Sequence, residues 1–311
     1  MKKILIFVVL VLTLFFAGIY IFVPANLRIE KTITVDNIQG VYRSLSNSTN
    51  WKTWWPGNEG GAAGLNYHDL QYRLKDYSTS TIFLEIKNHN EIFGSEINFI
   101  PGLQNTAMVN WGVNIPNTGN PLTRIRRYFL ARSLGSDLKD LLKRIKKSYS
   151  NTENIYGLHI EREHVKNSAL VFTYDSSKGL PSTEKIYRMV EELKKYITDN
   201  HAHVTDSPMV NINTSDSIYY LSRVAVPADT VLKSEGKISY KWMLGGGNIL
   251  TSEVVGSSIQ INHAFKTIEL YMDDYHLSSP AIPFYALSTN RLVQKDSTKW
   301  KSKIYYPVMY Y

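Results

Sequence analysis

The sequence predicts an α+β protein in three parts: an N-terminal transmembrane helix over residues 1–26, a first α+β domain over 27–150, and a second, internally duplicated α+β domain over 151–311. Three observations predict this. An unbroken apolar run from Ile4 to Val23 follows Lys2 and Lys3. Residues 28–149 read as one strand, short helical segments, a series of strands rich in β-branched and aromatic residues, and a long final helix. Residues beyond 155 repeat one order, strand–helix–Ser-Pro–strand–Pro, so that Ser222-Arg223-Val224-Ala225-Val226-Pro227 is echoed by Trp300-Lys301-Ser302-Lys303-Ile304-Tyr305-Tyr306-Pro307.

Composition narrows the classes. A hydrophobic content of 43% with 20% charged residues is that of a folded, globular chain. The absence of cysteine excludes disulfide scaffolds, thiol nucleophiles and cysteine-ligated zinc.

Taken in order, the apolar run of 20 residues, at about 1.5 Å per residue, matches a hydrocarbon core roughly 30 Å thick. It is longer than a signal-peptide core, and no small-x-small cleavage site follows it. The expectation is therefore an uncleaved single anchor. Lys2 and Lys3 favour a cytoplasmic N-terminus, which would make the soluble part periplasmic or extracytoplasmic.

In the first domain Arg28–Val35 alternates as a strand, and Asp36 is placed to cap a helix carrying Ile38, Val41, Tyr42 and Leu45. Trp51, Trp54 and Trp55 follow, stopped by Pro56-Gly57. Strands are expected over Leu65–Tyr77, Ser80–Lys87, Glu91–Ile100 and Thr106–Ile115, then a helix from Pro121 to Tyr149 interrupted near Gly135. That order, with the "IEKTITVDNIQGVYRSLSNSTNWKTWWPG" opening and the "VNWGVNIP" strand before the last helix, resembles the START-like superfamily that includes polyketide cyclases. The resemblance implies a helix-grip fold, a curved sheet wrapping the last helix with an apolar cavity between them. Trp51, Trp54, Trp55, Phe83, Phe93, Phe99 and Trp111 are its candidate ligand-binding residues.

The last helix of this domain carries nine basic residues against Asp137 and Asp140, an excess of seven that nearly equals the chain's net +8. Two readings stand: a solvated face, or contact with anionic headgroups that the anchor would bring near.

The second domain opens after the polar stretch 148–154. Its halves carry a helix each, over Ser182–Asn200 and about Ser258–Tyr275, and Ser207-Pro208 is answered by Ser279-Pro280. The pieces "WMLGGGNILTSEVVGSS" and "WKSKIYYPV" resemble the GyrI-like (gyrase-inhibitor-like) effector-binding domain. The resemblance implies two pseudo-symmetric halves with a pocket at their junction for flat, often cationic, hydrophobic molecules, and some members are reported as hydrolases. Candidate residues here are Arg223, Trp242, Glu253, Lys303 and Tyr305.

One departure bears on chemistry. The family's acidic residue typically sits where this chain has Lys303, four residues before the proline. A glutamate there attracts cations and serves as a base; a protonated lysine does neither. Arg223, at the pseudo-equivalent position, cannot act as a base. The expectation is a binder of hydrophobic small molecules or lipids, more a binder than an enzyme, with no catalytic residue, metal site or cofactor assigned. The expected partners are that small molecule and a membrane, not nucleic acid, and any ligand of the second domain should be neutral or anionic. The alternatives are a GyrI-like hydrolase and a lipid-apposed scaffold using helix 121–149. His201-x-His203 lacks a third ligand at metal spacing, and Gly245-Gly246-Gly247 lacks the Lys-Ser/Thr of a phosphate loop.

Overall fold

The structure, a computed structural model, describes residues 2–57, 60–61, 64–103, 105–166, 169–214, 218–243 and 245–309. The chain forms two compact units, Met1–Ile155 and Tyr156–Tyr311.

The first unit begins with helix α1 (Lys2–Phe22). No helix among the described residues is long and apolar enough to cross a membrane, which corrects the expected transmembrane anchor and, with it, the membrane-anchored, extracytoplasmic placement. The end of α1 is held instead by protein. Ile19 is buried, and the Tyr20 hydroxyl donates to the Gly119 carbonyl at 3.2 Å. The buried Arg124 lies 4.7 Å over the Tyr20 ring and donates to the Val23 carbonyl. A cation buried over an aromatic face, with Nη2 donating to the Val23 carbonyl, ties this turn to the unit's last helix.

Strand β1 (Asn26–Asp36) leads into α2 (Ile38–Leu45), and a 3₁₀ turn over Ser48–Thr53 carries Trp51 and leads into Trp54 and Trp55. The cap of α2 is Asn37, not Asp36. Its φ of 58° is left-handed, and its side chain accepts from the Gly40 amide. Strands β2 (Gly60–Gly61), β3 (Gly64–Tyr67), β4 (Leu70–Tyr77), β5 (Thr81–Asn88), β6 (Glu91–Pro101) and β7 (Thr106–Pro116) complete an antiparallel sheet of order β1-β7-β6-β5-β4-β3-β2. The single strand expected over 65–77 is split by a turn at His68-Asp69, where His68 takes φ 50°. No glycine or proline marks that turn, so only the backbone shows it.

Helix α3 (Pro121–Tyr149), capped by Asn120 with Pro121 in its first turn, packs on β1 and β7. It is continuous through Gly135. A Cβ there would sit 3.6 Å from Ile29, so the glycine lies on the face toward β1 and does not break the helix. Leu134, Leu138, Leu141, Leu142 and Ile145 are fully buried against the sheet.

A short helix, α4 (Glu153–Tyr156), leads to the second unit: β8 (Glu161–His164), β9 (Ala169–Lys178), α5 (Thr183–Asp199), β10 (Met209–Thr214), β11 (Tyr219–Pro227), β12 (Ser239–Trp242), β13 (Asn248–Val255), α6 (Ser258–Asp274), β14 (Phe284–Leu287) and β15 (Lys301–Pro307). The sheet order β12-β9-β11-β10-β14-β15-β13-β8 is palindromic about the central β10–β14 pair, where Val210 faces Tyr285. The duplication thus becomes a pseudo-two-fold axis. The two edge strands are exchanged. β8, which precedes the first half in sequence, pairs with β13 of the second; β12, which opens the second half, pairs with β9 of the first.

Cross-strand partners share a face. Val224, Val210, Tyr285 and Ile304 form one buried row, under α5 and α6. Capping fixes where those helices begin: Ser182 accepts from the Lys185 amide, and Ser257 forms a capping box with Gln260. The opposite face carries the alternate residues, and it is where the site lies.

Candidate functional site

The unhelical face of the second sheet encloses a cavity of about 940 Å³. Its walls come from β9 (Leu170, Phe172, Tyr174), β10 (Met209, Asn211), β11 (Leu221, Arg223, Ala225) and β14 (Phe284). Trp242, Ile282 and Val308 close its margin. Period-two alternation puts these residues on one side while Val210, Val224 and Val226 point under the helices. A volume within the usual range for small-molecule sites and walls that are mostly apolar define a ligand cavity.

Arg223 stands between two cross-strand neighbours, Tyr174 on β9 and Asn211 on β10. Its Nη1 donates to Asn211 Oδ1 at 3.0 Å, and Asn211 Nδ2 donates to the Pro283 carbonyl at 2.8 Å. The amide is therefore locked with its oxygen toward the guanidinium. The titratable side chains lining the cavity are Tyr174, Arg223 and Lys241, with no carboxylate or histidine among the described lining residues.

Across the pseudo-axis, Lys303 takes the position of Arg223, opposite Ala286 and Glu253. Its Nζ donates to Glu163 Oε1 at 2.7 Å, and the same oxygen accepts from the Thr251 hydroxyl at 2.7 Å. The hydrogen bonds from Lys303 and then Thr251 hold the Glu163 carboxyl below its ordinary range. For Lys303 burial works against the charge, but the Glu163 contacts prevail and its pKa is raised. Tyr305 stacks on Phe284 at 5.0 Å with the Lys303 ammonium 5.5 Å from its ring, and Glu253 is exposed.

Of the residues singled out from the sequence, Arg223 and Trp242 line the cavity, whereas Lys303, Tyr305 and Glu253 lie on the second half of the sheet outside its lining. The first unit holds the others. Trp51, Trp54, Trp55, Phe93, Phe99 and Trp111 are buried in its core, with Trp51–Trp55 and Trp54–Trp55 ring centroids 5.8 and 5.1 Å apart, while Phe83 is exposed. Sequence reasoning did not find Glu163, because β8 reaches Lys303 only through the edge exchange. It also missed Asn211, whose alternation with Val210 was the available sign. Among the described residues, no group of three or more His, Asp or Glu side chains is arranged to hold a metal.

No family model and no curated protein matches the chain. Among solved structures it is similar to EcmrR in a DNA complex (13% identity, 61% of this chain and 72% of that one, TM-score 0.44). It is similar to the EcmrR C-terminal domain (10% identity, 50% and 99%, TM-score 0.42) and to a hydrolase from Listeria innocua (12%, 48% and 92%, TM-score 0.35).

Proposed function

We propose that the second unit is a GyrI-like effector-binding domain that binds an apolar small molecule in the cavity on its open sheet face, without transforming it. The observation that carries this reading is the cavity itself: about 940 Å³ walled by Leu170, Phe172, Met209, Leu221 and Phe284. Burying about 300 Å² of ligand surface there at ~25 cal/mol/Å² is worth several kcal/mol before ordering costs. The absence of a carboxylate or histidine from the described lining removes the usual general bases and supports binding over turnover. In the first unit, the order strand, short helices, antiparallel strands and long helix supports a START-like fold, here with an aromatic interior. Nucleic acid has no part in this reading.

The experiment uses N-phenyl-1-naphthylamine, a neutral dye that brightens in apolar sites. Its fluorescence should rise saturably with the full chain and fall to background with Ala225→Trp, which places an indole in the cavity. Unchanged binding by that variant, or steady hydrolysis of an aryl ester by the parent but not the variant, overturns the proposal.

A further inference from the structure

We propose that the cavity is selective for an apolar anion, a carboxylate or sulfonate on an aromatic or polycyclic body, and that Arg223, oriented by Asn211, is the group that receives the charge. This rests on the cavity reading above and names the ligand class for that site.

The basic side chains lining the cavity are Arg223 and Lys241, and no acidic residue opposes them among the described lining residues. A cation entering would lose its hydration to meet two like charges; an anion would meet a guanidinium already partly desolvated. Charge selectivity in so apolar a space is set by the few charges present.

Geometry separates the two pseudo-equivalent cations. Lys303 is consumed by Glu163 at 2.7 Å, with Thr251 on the same carboxylate oxygen. Arg223 has a neutral partner, the Asn211 oxygen at 3.0 Å, which occupies one of its five N–H donors. Asn211 is itself pinned to the Pro283 carbonyl, so the guanidinium keeps one orientation while the rest of its fork meets no other acceptor among the described residues. A planar fork of fixed orientation suits bidentate recognition of a carboxylate or sulfonate. The duplicated fold has thus neutralised one of its two equivalent cations and left the other facing the cavity.

The ring surface is placed to hold the ligand's body. Phe172, Tyr174, Trp242 and Phe284 all line the cavity, and Tyr174 is the cross-strand neighbour of Arg223. An aromatic anion could set its acid group on Arg223 with its rings among these side chains.

Two probe pairs on the full chain test this. The first is 8-anilinonaphthalene-1-sulfonate against N-phenyl-1-naphthylamine, which share a skeleton and differ by the sulfonate. The second is tetraphenylborate against tetraphenylphosphonium, matched in size and opposite in charge, each measured by displacement of the neutral dye. Tetraphenylborate should bind at least tenfold tighter than tetraphenylphosphonium. Arg223→Gln should weaken the sulfonate dye about tenfold more than it weakens the neutral dye, while Arg223→Glu should reverse the order of the second pair. The neutral dye reports whether each variant keeps a folded cavity. Equal or tighter binding of the phosphonium, or equal loss of both dyes in Arg223→Gln, overturns the anion assignment while leaving the cavity reading intact. Failure of every probe, the neutral dye included, overturns the cavity reading itself.

Discussion

Lys303 and Glu163 meet at 2.7 Å although 140 residues separate them, because the edge strand carrying Glu163 crosses to the opposite half of the duplicated sheet. Both side chains are about three-quarters buried, so the pair is worth more than an exposed one yet remains partly screened. The folded pKa of Glu163 lies below its unfolded value. Its contribution is therefore present above that unfolded value, about 4.3, and lost as pH falls through the folded one. Glu163→Gln should lower stability by about 1 kcal/mol at pH 7, and the gap to the parent should close on acidification. Urea melts at pH 7, 5 and 3 read this directly. A gap that widens on acidification contradicts the pairing. The charge-swapped double variant Glu163→Lys with Lys303→Glu should recover part of the loss.

The first unit holds a titratable group of opposite sign of shift. Asp137 on α3 is buried, and its pKa is raised, first by desolvation, with the His68 contact at 2.9 Å acting against that. A raised folded pKa gives stability that is full below the unfolded value and lost as pH rises through the folded one. Asp137→Asn, which cannot ionise, should therefore be least favourable relative to the parent in acid and gain on it as pH rises towards neutrality. The nearby Tyr72 hydroxyl is fully buried without a hydrogen-bond partner among the described residues, and its pKa is pushed up by burial and then by Asp137. Tyr72→Phe should be neutral or stabilising by about 1 kcal/mol, since an unsatisfied buried hydroxyl carries a desolvation penalty. Thermal melts of the single variants across pH 4–8, an interval of about four units, measure both effects.

These two sites mark what local sequence can and cannot carry. Alternation and capping residues expose strands and helices, so the halves of the second unit and the long α3 are readable from the chain alone. Partner choice in a sheet is not local. Nothing in Glu161–His164 says that it will join β13 and not the neighbouring β9, and so Glu163 is invisible as the partner of Lys303. Arg223 and Trp242 stood out through the repeat and the family resemblance, but Asn211 gains meaning only once β10 is seen beside β11. The left-handed residues Asn37 and His68 were hidden for another reason: each takes a conformation that glycine would have advertised.

The tryptophans of the first unit make a packing prediction. Trp51 is fully buried, its indole N–H donates to the Leu45 carbonyl at 2.8 Å, and its ring contacts Trp54 and Trp55. Trp51→Ala should cost about 3–5 kcal/mol, the range for emptying a large core site. Trp51→Phe should cost less, because it keeps most of the ring contact. Denaturant melts followed by circular dichroism check this, and a loss under 1 kcal/mol for Trp51→Ala would mean that the ring is not part of the core.

Arg291 gives the sharpest contrast between charge and shape. It is buried, its guanidinium lies 4.7 Å over Trp300 and 5.5 Å over Tyr285, and its Nη2 donates to the Ser302 hydroxyl at 2.8 Å. Among the described residues it has no carboxylate partner, so the delocalised charge is held by aromatic faces and one hydroxyl. The same electrostatics work on Tyr285, whose pKa is raised by its own burial while Arg291 pulls it back. Arg291→Lys keeps the charge but concentrates it on a strongly hydrated ammonium that cannot stack as a plane. Arg291→Met removes the charge and keeps much of the volume. Burying an unpaired ammonium is the worse of the two, so the lysine variant should be destabilised by about 2 kcal/mol or more and the methionine variant by less. The ordering of their melting temperatures is the measurement, and a lysine variant as stable as the parent would show that planarity is not what holds Arg291 there.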